Sequence, residues 1–155
     1  MPRLARTVFS GVAHLITQRG NRREEVFFSD ADRHAYLAWM REYCVKQGVE
    51  IPAYCLMTNH VHVVAVPPEQ TAFEQVFRPL HTKYAQRINR AKRWKGHLWQ
   101  GRFFSSALDD TYLWAPSART AEECGKRSLE NVCVRFIFDS RISFHSIRAT
   151  LAEVF

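Results

Sequence analysis

The 155-residue chain has no acidic side chain between Glu74 and Asp109, no tyrosine after Tyr112, and no C-x-x-C pair among its four cysteines. Each absence excludes something. Cys44, Cys55, Cys124 and Cys133 match no zinc-site spacing, so they are expected as free, partly buried thiols in a reducing compartment. No apolar run approaches the ~20 residues of a membrane helix. The N-terminal MPRLARTVFSGVAHL carries cations but lacks the apolar core of about 7–15 residues and the cleavage site of a signal peptide. A cytoplasmic protein without membrane contact is expected. Apolar residues at 46% and charged residues at 24% are ordinary for a folded domain and argue against disorder.

What is abundant is positive charge: 22 Lys and Arg against 15 acids, a net charge of +7. The acid-free stretch concentrates it in Arg78, Lys83, Arg87, Arg90, Lys92, Arg93, Lys95 and Arg102, with His81 and His97 among them. Cations without counter-ions repel one another unless a polyanion or solvent compensates them. Phe77, Tyr84, Trp94, Trp99, Phe103 and Phe104 interleave with these cations. Cations for phosphates and flat rings for bases are the composition of a single-stranded nucleic-acid surface. The alternative is a solvated basic face with its rings turned into the core.

Alternation and β-branched residues predict a first strand over 7–18. Ser29 or Asp30 caps a predicted helix running to about Gln47, with Gly48 as its stop. Residues 49–57 and 60–66 read as strands, the second closed by Pro67-Pro68. A second helix is expected from about Ala72, broken near Arg78 by Pro79 and resuming from Leu80 to about Arg90. Residues 96–104 read as loop and strand, and a helix is expected to begin at Leu108. The order strand, helix, strand, strand, helix, strand, helix predicts an α+β sandwich, with strands paired on one side and helices on the other.

The sharpest short feature is N-H-V-H-V-V (59–64). Residues i and i+2 of a strand share a face, so His60 and His62 project side by side while Val61 and Val63 point to the core. Two imidazoles about 7 Å apart can share one divalent metal. The spacing alone fits two surface histidines equally well.

A-Y-C-L-M-T-N-H-V-H-V-V (53–64) resembles the paired-histidine block of the HUH-type single-tyrosine transposases, especially the REP-associated tyrosine transposases. Q-R-G-N-R (18–22), F-F-S-D-A-D (27–32), Y-L-x-x-M (36–40), L-H-x-x-Y-A-x-x-I-N (80–89), G-H-L-W-Q-G-R-F-F-S (96–105) and L-D-D-T-Y-L-W-A (108–115) agree in order and spacing. The resemblance spans about residues 3–115. It implies a ferredoxin-like α+β fold over 1–115, an antiparallel sheet with helices packed on one face, and His60 and His62 as ligands of Mg²⁺ or Mn²⁺. It also implies a tyrosine on a C-terminal helix that attacks single-stranded or hairpin DNA to form a phosphotyrosine. Expected DNA contacts are Arg19, Arg78, Lys83, Tyr84, Arg87, Trp99, Gln100 and Arg102. No small-molecule substrate is implied, and the chain would act as a monomer or homodimer.

After Ala115 the pattern departs. Such transposases continue roughly as A-x-R-Y-V-E-x-N-P-V-R-A, whereas this chain reads P-S-A-R-T-A-E-E-C-G-K-R (116–127). The nucleophile's position falls near Arg119, and that of a third metal ligand near Glu123. Pro116 stands where the helix should run. A shifted reading frame or a recombined end produces such a break; a divergent but working C-terminus is the alternative. Residues 116–155 are therefore expected as a divergent, partly disordered tail, in which 132–138 can pair as an edge strand. Tyr84 and Tyr112 are weak substitute nucleophiles, Tyr84 because neighbouring cations would lower its phenol pKa. The expectation is a transposase-family protein with impaired chemistry. A catalytically inactive hairpin-DNA-binding module is the alternative, and an RNA-binding sheet protein explains H-V-H poorly.

Overall fold

The computed structural model describes residues 7–108 and the strand Cys133–Phe136. Its elements are β1 (His14–Arg19), a 3-10 turn (Asn21–Arg23), α1 (Asp30–Gln47), β2 (Glu50–Met57), β3 (His60–Val66), α2 (Ala72–Lys92), β4 (Phe104–Ala107) and β5 (Cys133–Phe136). The five strands lie in the order β4-β1-β3-β2-β5, and every pairing is antiparallel. The first four strands with two helices give the expected ferredoxin-like α+β fold. β5 adds an edge strand beside β2, inside the 132–138 segment predicted to pair. Among the described residues, no helix is long and apolar enough to cross a membrane.

Alternation decides which face of the sheet meets the helices. Ile16, Leu56, Val61, Val63 and Ala65 are fully buried in one cluster with Tyr36 and Met40 of α1 and with Phe73, Phe77, Leu80 and Tyr84 of α2. Register places Thr17 and Arg19 opposite His62 and His60, on the other face.

Helix α1 obeys its local signals. The Ser29 hydroxyl accepts from the Asp32 N–H at 3.3 Å, and Gly48 ends the helix at φ 66°. Helix α2 does not break at Pro79 but runs unbroken from Ala72 to Lys92. A mid-helix proline costs about 3 kcal/mol. Phe73, Val76, Phe77, Leu80, Tyr84 and Ile88 are each at most 1% exposed. At about 1.5–3 kcal/mol per buried large side chain, packing along one continuous face outweighs the proline.

The first strand starts later than predicted because residues 9–12 form a turn. The Gly11 N–H donates to the Pro67 carbonyl at 2.8 Å, and the Ser10 hydroxyl donates to the Pro68 carbonyl. Cys44 is free and buried, and burial pushes its thiol up to about 12. Cys55 is disulfide-bonded, which corrects the expectation of free thiols. The helix expected from Leu108, and Tyr112, Arg119 and Glu123, lie outside the described residues.

Candidate metal and nucleic-acid site

Strand alternation brings His60 and His62 to one face of the central strand β3. Their rings meet edge to face with centroids 4.9 Å apart, closer than ideal strand spacing because the side chains lean together. Both are partly exposed, while Val61 between them is fully buried against the helices. His60 Nδ1 lies 2.6 Å from Asn59 Oδ1, and Asn59 Nδ2 donates to the Arg23 carbonyl at 3.1 Å. The β2–β3 turn thus orients the first imidazole and ties it to the basic turn that follows β1.

That turn is closely packed. A Cβ on Gly20 would collide with the Glu24 carbonyl and the Val26 side chain, so only glycine fits. Arg22 and Arg23 stand at φ 53° and 63°, a left-handed backbone costing about 1–2 kcal/mol per non-glycine residue. Both are exposed beside the site. R-G-N-R-R was legible as a turn, but nothing in the order of residues showed that it touches Asn59.

Arg19 is exposed and lies across from His60. Gln100 and Arg102 are also exposed, on a loop held to β1 by two hydrogen bonds of 2.9 Å. Gln100 N–H donates to the Arg19 carbonyl, and Gln18 Nε2 donates to the Gly101 carbonyl. Among the described residues, no group of three His, Cys, Asp or Glu converges on one point. The described part of the site is therefore a histidine pair beside exposed cations.

Residues 7–115 match the family model described as IS200-like transposase. The chain belongs to the IS200-like transposase family. No curated protein matches it. Its fold is similar to that of a REP-associated tyrosine transposase solved with a REP hairpin. The TM-score is 0.54 at 19% identity, over 76% of this chain and 68% of the other. A candidate transposase from Deinococcus radiodurans R1 superposes with a TM-score of 0.53 at 17% identity, over 79% of this chain and 97% of the other.

Within this transposase fold, the acid-free stretch of sequence is not free of acids in space. Arg78 pairs with Glu74 at 3.4 Å, Lys83 with Glu42 at 3.8 Å and Arg87 with Asp32 at 3.5 Å. Lys83 also lies over the Trp39 ring, and Lys92 over Phe28, at 4.7 and 4.1 Å from the centroids. α1 thus supplies Asp32, Glu42 and Trp39 as neighbours that the linear reading could not place. Arg90, Arg93, Lys95 and Arg102 are exposed and form no ion pair among the described residues.

The aromatic residues divide as sharply. Phe77, Tyr84, Trp99 and Phe103 are buried, while Trp94 is 45% and Phe104 63% exposed. Tyr84 and Trp99 are corrected as base-stacking contacts. The Tyr84 hydroxyl donates to the Val26 carbonyl at 2.7 Å, and Trp99 Nε1 donates to the His81 carbonyl at 3.0 Å. Tyr84 is corrected as a substitute nucleophile as well. Burial raises its phenol pKa, with Asp32 and Tyr36 adding to the rise against smaller opposing effects of Arg33 and Arg87.

Proposed function

We propose that this chain is a transposase-family protein that receives single-stranded or hairpin DNA on its histidine face, without the tyrosine that would make the covalent intermediate. The observation that carries the reading is His60 and His62 side by side on the open face of β3, flanked by exposed Arg19. Two imidazoles at this separation suit one divalent ion. With the Nδ1 side of His60 held by Asn59, an ion would be met through Nε2. Mg²⁺ or Mn²⁺ held there would supply Lewis-acid polarisation of a phosphodiester. Glu123 is the proposed third ligand.

Arg19, Gln100 and Arg102 hold phosphate and backbone groups, and Arg22 and Arg23 extend that rim. The structural neighbour bound to a REP hairpin supports hairpin DNA as the partner. The position expected for the family's nucleophile falls near Arg119, which can hold a phosphate but cannot attack phosphorus. With Tyr84 enclosed in the core, the described residues offer no tyrosine nucleophile at the site.

Incubation with a labelled palindromic hairpin and Mn²⁺ tests the reading. A shifted band without a covalent adduct is expected. An adduct mapped to any tyrosine of the unmodified chain would show that a nucleophile is present after all. Absence of any shift would remove the DNA partner.

A further inference from the structure

The histidine face is closed on one side of the pair and open on the other. Toward β2, Cys55 and Met57 form a separate buried cluster, 1% and 4% exposed. Toward β4, the register runs His62, Thr17, Phe104 in a single cross-strand row. The Phe104 ring at the end of that row is 63% exposed. Strands about 4.8 Å apart put Phe104 roughly 10 Å from His62, two strand spacings away on the same face.

β4 is the edge of the described sheet. An open groove runs along it, lined by Phe9, Gln100, Arg102, Phe104 and Ser106. Arg102 is exposed without an ion pair among the described residues, so the groove joins a cation to an aromatic face. A single exposed phenylalanine needs no explanation. One in register with His62 and beside an unneutralised arginine matches the pairing of ring and cation that single-stranded nucleic acid requires. A base in a duplex is already stacked on its neighbours, so a lone ring favours an unpaired one.

We propose that Phe104 is the platform on which an unpaired base of single-stranded DNA stacks, the strand reaching the histidines across β4 and β1. The proposal rests on the histidine face being a DNA site, and adds the side of approach and the residue that fixes a base there.

Fluorescence anisotropy of a labelled oligothymidylate of about 12 nucleotides with the full chain tests it. Loss of one stacked base weakens binding about fivefold to a hundredfold, which is the expected effect of F104A. F104W should stay within about twofold of the wild type, and F104L should behave as F104A, since bulk without a π-face does not stack. None of the three should change the salt slope, because none removes a charge. The ring is mostly in solvent, so folding should survive. If F104A is unstable, the contrast between F104L and F104W decides. Wild-type affinity in both F104A and F104L would overturn the platform while leaving the DNA reading intact. A wild-type chain that binds no oligonucleotide would overturn both.

Discussion

The two faces of the sheet are built from the same strands and do opposite things with polar groups. The helix face buries His14, Gln18 and His81 and satisfies them internally. His14 Nδ1 donates to the Val12 carbonyl at 2.7 Å, while its Nε2 accepts from the Phe9 N–H at 3.2 Å. The Tyr36 hydroxyl lies 3.0 Å from His81 Nε2. The other face leaves His60, His62 and Arg19 within reach of solvent. The difference teaches that a histidine's environment, not its presence, decides its chemistry. Sealed histidines hold the fold neutral and dry, and open ones on a rigid strand can serve a ligand.

The largest expected separation of the faces is in stability. L80A on the helix face removes a fully buried side chain and should lower unfolding free energy by about 2–5 kcal/mol in denaturant titrations. An effect below about 1 kcal/mol would mean that α2 does not anchor the core. H60A/H62A should leave stability nearly unchanged while weakening Mn²⁺ binding at least about a hundredfold by calorimetry. Unchanged Mn²⁺ affinity would assign the ion elsewhere.

Acid separates the faces next. Burial lowers the His81 pKa to about 3 and also lowers that of His14. Both are neutral in the fold but take up a proton on unfolding below about 6.5. The stabilisation from His81 is therefore whole above pH ~6.5 and declines as pH falls toward about 3, and that from His14 declines in the same direction. For His81 alone the slope is about 1.4 kcal/mol per pH unit. Denaturation midpoints between pH 7 and about 4 measure it; a flat profile would place both histidines in contact with water.

The smallest contrast concerns cations. R102A should reduce the log–log salt slope for single-stranded DNA by about 0.7, the effect of one phosphate contact. K83A should leave it unchanged, because Lys83 faces Glu42 and the Trp39 ring. Equal effects of the two would mean that DNA also lies along the helices.

Much of the site was legible in residue order because its rule is local. A strand has period two, so H-V-H must place two imidazoles on one face, and S-D-A-D must begin a helix near Ser29. The α+β order of elements followed from hydrophobic periodicity and turn residues, and its ferredoxin-like arrangement from the resemblance to the transposase family. The unbroken α2, the burial of Tyr84 and Trp99, and the counter-ions of Lys83 and Arg87 were not legible. Each depends on residues brought close only by the fold, such as Val26 at Tyr84 and Glu42 at Lys83. Charge density in sequence is one-dimensional, whereas screening acts through space, so Asp32 and Glu42 neutralise a stretch that contains no acid. By itself the sequence determined the elements, their order and the histidine pair. Only tertiary packing decided which rings and cations remain for a ligand, because burial and ion pairing are properties of surfaces brought together by the fold.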